Sequence, residues 1–301
     1  MRDAATSQPQ TDLVWRRDAL AFLRHRWFHV WVLTVALTVA LVVAWEIREN
    51  STVIPAILLF GSLSGVLAFG IFVSDRLVLS GEVPFETIAV VVLYGGGIGV
   101  LFGGLFDTLF INDPTSWELL LVGPIEELAK LAVPVGIWLA GHHRSPRAGL
   151  VLGLASAAGF AVLETMGYGF DSLTEANGDI GHAALTPLKR GMMAPFGHMV
   201  WTGVACIVLW QEWRRAGHFA ITKNVAIVLV VVMGLHSLND LVSLEAPNTP
   251  ILLLANPIVP VISYLYFKRH ARELTPTSVI PSVPPGWRPR VTDKTMTAGD
   301  G

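Results

Sequence analysis

The chain has 301 residues, of which 52% are hydrophobic and only 15% charged. Soluble domains carry about 25% charged residues, so this is the composition of an integral membrane protein. A formal charge of −2 without a long basic stretch excludes a nucleic-acid partner, and a single cysteine, Cys206 in an apolar run, excludes an intrachain disulfide and a cysteine-based metal site.

Apolar runs of roughly spanning length fall at 28–47, 53–73, 86–106, 118–140, 148–168, 193–211, 223–242 and 251–267. They predict an all-α polytopic membrane protein with about eight transmembrane helices. The first run contains Val42-Val43-Ala44, a passable signal-peptide cleavage site, but it exceeds the usual length of about 7–15 apolar residues and is expected to be retained. The third carries Gly95-Gly96-Gly97, Gly99, Gly103 and Gly104, and reads as a packing helix because small residues let membrane helices approach. Pro55 and Pro134 lie inside runs and predict kinks. The longest loop, 169–192, leaves no room for a soluble domain. Residues 1–27 read as a cytoplasmic arm, partly disordered, and 269–301 as a proline-containing, disordered cytoplasmic tail around a transmembrane domain at 28–268.

Charge asymmetry gives the orientation. With both termini cytoplasmic, only Arg48, Lys189 and Arg190 of the 21 lysines and arginines fall outside, Lys130 lies in the membrane, and the rest are inside. This topology places Glu126, Glu164, His198, His236 and Asp240 in the outer half of the bilayer, although the counting took no account of them. Trp117, Trp138, Trp201, Trp210 and Trp213 lie near the expected boundaries and read as aromatic-belt anchors. His142-His143-Arg144 reads as a solvated cytoplasmic loop.

Buried ionisable groups carry the chemistry. A charge at bilayer depth costs about 2.5–3.5 kcal/mol, so paired glutamates in an apolar run need a purpose. In Pro124-Ile-Glu126-Glu127-Leu-Ala-Lys130, Glu126 and Lys130 share a helix face, and Glu127 lies about 100° round. Lys130 can balance one carboxylate and leave its neighbour to act on a water. A structural ion pair or an ion path would use the same residues. Phe160 stands one turn before Glu164 on the same face and is positioned to shield its carboxyl, while Glu164 and His198 also suit span ends. His236 and Asp240 align at i,i+4. Asp240 either orients His236 or joins it in binding a metal.

The ordered set Glu126-Glu127-x-x-Lys130, Phe160-x-x-x-Glu164 with Tyr168, His198 and His236-x-x-x-Asp240 resembles the PrsW family of intramembrane proteases, within the wider superfamily of CaaX-processing and bacteriocin-immunity proteases. The likeness covers about 86–267. Thr165 stands where the family's glutamate is followed by asparagine, and Asp240 where CaaX-type relatives carry asparagine, which favours Asp240 as the residue orienting His236.

The resemblance implies an intramembrane endopeptidase in the cell membrane, the domain 28–268 being the protease. It would cleave a membrane-anchored protein, such as a signalling regulator, near the extracytoplasmic face. Glu126 would be the general base, Glu127 and Glu164 would hold the water, and His198 and His236 would stabilise the oxyanion, with Asp240, Lys130 and Phe160 in support. No cofactor is expected on the CaaX-type likeness, whereas His198, His236 and Asp240 with one glutamate would suit zinc. A glycine-rich third span packed loosely would admit a substrate helix sideways. The rival readings are a proton- or cation-coupled transporter or channel, and a metal-dependent membrane hydrolase.

Overall fold

The computed structural model describes residues 21–110, 118–176, 179–245 and 257–274, and among these every regular element is helical. In chain order they are α1 (Arg26–Arg48), α2 (Ile54–Leu77), α3 (Phe85–Val90), a π-helical segment (Val91–Gly95), α4 (Gly96–Phe110), α5 (Leu119–Leu139), α6 (Pro146–Glu175), the short α7 (Ile180–Ala183), α8 (Leu185–Met193), α9 (His198–Ala216), α10 (Lys223–Glu245) and α11 (Ile258–Arg272). Among the described residues, six helical stretches are long and apolar enough to cross a membrane: Arg26–Arg48, Ser51–Leu77, Phe85–Phe106, Pro146–Glu175, Ile180–Ala216 and Lys223–Ser243. The other two expected spans correspond to α5, which carries three charged side chains in 21 residues, and α11, 15 residues long. The protein is thus a multi-pass membrane protein. The arm before residue 21, the tail after 274, Trp117 and the start of the last expected span lie outside the described residues.

α6 and α9 form the centre of the bundle, and α1 lies at its edge against α2. Local chemistry sets the ends. Ser145 Oγ accepts from the Ala148 amide (3.0 Å) at the start of α6, with Pro146 in the first turn, and Gly217 in the left-handed region ends α9. Arg147, in the first turn of α6, ties this same end of the bundle together: it pairs with Glu82 and donates to the carbonyls of Leu77, Val78 and Leu274.

Four expectations change. Pro55 is the second residue of α2, where no intrahelical N–H is required, so it starts that helix and does not kink it. The expected long loop is largely helix: α6 continues to Glu175, and Asp179 caps α7 by accepting from the His182 amide. α8 then lies along α2, with Pro187 and Gly191 buried in the contact. The glycine-rich span packs closely on α6: a Cβ on Gly96 would sit 2.4 Å from the Gly159 carbonyl carbon, and one on Gly159 only 1.9 Å from the Val92 oxygen. Trp138, Trp201, Trp210 and Trp213 are buried in the bundle and do not form a belt. The indoles of Trp201, Trp210 and Trp213 hydrogen-bond to Ser263 Oγ, the His143 carbonyl and the Ala220 carbonyl. A flat indole with a donor suits a polar-studded interior as well as an interface.

Candidate active site

α5 contributes a stretch of nearly three turns bounded by Pro124 and Pro134, and within it Glu126, Glu127 and Lys130 are all buried. Lys130 Nζ donates to Glu126 Oε2 (3.2 Å) and Glu127 Oε1 (2.9 Å) and lies 2.9 Å from His198 Nδ1. Three ammonium hydrogens thus meet three acceptors. The Phe160 ring lies 4.1 Å beneath Nζ and 5.4 Å from the His198 ring, so this aromatic attends the lysine and the imidazole.

His236, from α10, brings Nδ1 to 3.0 Å from Glu127 Oε1, while Thr202 Oγ1 donates to Glu127 Oε2 at 2.8 Å. A carboxylate at Nδ1 fixes the tautomer and turns the Nε2 lone pair outward. Nε2 then faces Glu126 Oε2 and Asp240 Oδ2, each at 3.4 Å. Glu127 is thus the carboxylate hydrogen-bonded to this imidazole, and Asp240 lies against its other nitrogen. Asp240 Oδ2 is buried without a hydrogen bond. Trp201 stacks on the His236 ring at 4.6 Å.

His198, the first residue of α9, places Nε2 3.2 Å from Glu164 Oε2 on α6. Arg190 on α8 reaches the same oxygen at 3.2 Å, with its guanidinium 3.6 Å from the Tyr168 ring centre. The structure therefore gathers Glu126, Glu127, Glu164, His198, His236, Asp240, Lys130 and Phe160 in one place. They converge from the start of α5, the later half of α6, the start of α9 and the last turns of α10, all toward one end of an antiparallel bundle. A cavity of about 720 Å³ opens beside His198, lined also by Arg190, Trp201, Asn239, Val261 and Tyr264.

Sequence reading missed Thr202, Trp201 and Arg190. Thr202 and Trp201 stand four and three residues after His198, so helical spacing would have put them on its face. Arg190 gave no signal because its helix read as a loop.

Such a cluster in a polytopic bundle has the groups that a membrane-embedded hydrolytic centre needs. The family model described as PrsW family intramembrane metalloprotease matches residues 83–267, and the chain belongs to that family. It is an intramembrane protease. No curated protein and no solved structure matches it.

The family's description names a metal, where the CaaX-type likeness favoured none. The donors present fit one: Glu126, His198 and His236 each offer a ligand atom, all within 4.8 Å of one another. Asp240 Oδ2 adds a buried acceptor that no hydrogen bond occupies. Four carboxylates (Glu126, Glu127, Glu164, Asp240) face two fixed cations (Lys130, Arg190), a balance that a divalent ion would complete.

Proposed function

We propose that this protease hydrolyses a peptide bond of a membrane-anchored protein close to the extracytoplasmic surface, with Glu126 as the base that activates water. The observation that carries this is the meeting of Glu126 Oε2 with His236 Nε2 at 3.4 Å, inside a cluster that also holds a second imidazole and lies against an open cavity. Eight spans with both termini cytoplasmic put that end of the bundle outside, as the distribution of lysine and arginine supports.

Each side chain then has work suited to its contacts. Glu127, held by Lys130 and Thr202, keeps the His236 ring in place through Nδ1. Lys130 holds Glu126 in position beside the water it deprotonates. Glu164 and Arg190 steady His198 from the cavity side. Trp201 and Phe160 wall the two imidazoles and exclude bulk water, which strengthens every charge interaction within.

A zinc ion would be held by His198, His236 and Asp240. Bound there, it would supply Lewis acidity and lower the pKa of a coordinated water toward about 7. Glu126 is the carboxylate grouped with both imidazoles within 4.8 Å, but its Oε2 already accepts from Lys130 whereas Asp240 Oδ2 accepts from nothing, so Asp240 is assigned as the ligand and Glu126 as the base. His198 would release one of its contacts, to Lys130 or to Glu164, to give a nitrogen to the ion.

The test of the function is proteomic. Membranes from cells expressing the chain are compared with membranes from cells expressing Glu126→Gln, and new protein termini that depend on Glu126 are the expected result. Their absence, with the chain folded and present, would overturn the assignment of Glu126.

A further inference from the structure

Proline has no amide hydrogen, so within a helix it leaves the carbonyl four residues earlier without its usual partner. Pro124 and Pro134 therefore release the carbonyls of Leu120 and Lys130, at either side of the turn that bears Glu126, Glu127 and Lys130. Both carbonyls are taken by serines from other helices. Ser237 Oγ on α10 donates to the Leu120 carbonyl at 2.9 Å, and Ser156 Oγ on α6 donates to the Lys130 carbonyl at 2.6 Å. Each serine also faces a glycine that lets the helices close. A Cβ on Gly123 would sit 2.5 Å from Ser237 Oγ, and one on Gly95 would sit 2.4 Å from Ser156 Oγ. Ser156 is fully buried, and Ser237 nearly so.

We infer that Ser156 and Ser237 are positioning residues of the protease, which hold the acidic turn of α5 at a set rotation and height against α6 and α10 through the carbonyls that the two prolines release. The two helices they anchor are those that carry Glu164 and His236. A bond from each side therefore fixes Glu126 relative to both groups, and a misplacement of about 1 Å at such a site costs on the order of 100-fold in rate. The inference rests on the protease reading for its consequence in turnover, but the contacts themselves can be tested without it.

The experiment makes Ser156→Ala and Ser237→Ala in the full chain and adds Pro134→Ala or Pro124→Ala to each. An alanine at 134 restores the amide that serves the Lys130 carbonyl, and an alanine at 124 restores the one that serves Leu120. One readout is the abundance of Glu126-dependent termini in the membrane proteome, and the other is amide hydrogen exchange over residues 125–133 of the purified chain. Each serine variant is expected to lower those termini on the order of tenfold and to speed the exchange. Rescue of the exchange should be paired: Pro134→Ala slows it again in Ser156→Ala and leaves Ser237→Ala fast, while Pro124→Ala does the reverse; the termini stay low in both, because the bond to the neighbouring helix is still missing. General loss of folding cannot produce that pattern. Unchanged exchange in both serine variants, or rescue indifferent to which proline is replaced, overturns the inference. If the wild-type chain yields no Glu126-dependent termini, the protease reading of Glu126 fails instead, and the exchange pattern alone decides the role of the serines.

Discussion

The Lys130 ammonium lies 2.9 Å from His198 Nδ1, so one buried cation joins the glutamates of α5 to an imidazole at the head of α9. An ammonium has hydrogens to give and nothing to accept with. His198 Nδ1 must then present its lone pair, which puts the ring hydrogen on Nε2, toward Glu164. Lys130 is fully buried, as is Glu127.

Replacing Lys130 with methionine keeps its bulk and removes that cation. Two buried carboxylates and one imidazole lose their common partner, and breaking a buried pair in this way costs about 3–5 kcal/mol. Thermal or denaturant unfolding of the detergent-purified chain measures the loss. A change well under about 1 kcal/mol would mean that the cluster tolerates its own charge.

Glu126→Gln and Asp240→Asn should separate base from ligand. Active protein is expected to carry about one zinc per chain by elemental analysis, as catalytic sites with three protein ligands do. Glu126→Gln should keep the zinc and lose turnover, whereas Asp240→Asn should lose the zinc as well. Active protein free of metal would show that Glu126 works unaided, and loss of zinc in Glu126→Gln would make Glu126 a ligand.

The cut should fall on the extracytoplasmic side of the substrate's membrane anchor. Water and an unfolded stretch of substrate must both reach carboxylates lying roughly 5–12 Å below that face, at 1.5 Å of helix rise per residue. Mass spectrometry of the new termini measures this directly. Cuts on the cytoplasmic side would reverse the proposed topology or displace the site.

Two neighbouring glycines should behave oppositely. Gly96→Ala drives a Cβ into the backbone of Gly159, and overpacking of this kind costs about 1–3 kcal/mol. Gly97→Ala meets nothing within 4 Å and should be neutral or stabilising by about 0.5–1 kcal/mol. Parallel unfolding curves test the pair, and equal effects would refute the close contact between α4 and α6.

The helical class and most of the site were legible because an ionisable side chain in an apolar run stands out at any alignment of the helices. Glu126, Glu127, Lys130, His198, His236 and Asp240 announced themselves in this way. Spacing along one helix does not reveal which groups on different helices meet. Asp240 lies one turn from His236 and so looked like its orienting partner, but the carboxylate hydrogen-bonded to the ring is that of Glu127, from another helix, at 3.0 Å. The tryptophans were misplaced for a related reason: hydropathy marks where a span ends but not which face turns inward. Arg190 was hidden because α8 is short and polar, and its value to the site comes from lying against Glu164.

The hydroxyls of Ser156 and Ser237 bear on when the site acquires its shape. α5 cannot turn about its own axis without giving up both bonds, and the Lys130 carbonyl lies at bilayer depth, where no bulk water stands by to replace its partner. The arrangement of Glu126 against His236 is therefore settled when the bundle folds, before any substrate arrives. The ordering entropy of these groups is then already lost in the resting protein, and it does not have to be drawn from the affinity of an encounter within the membrane.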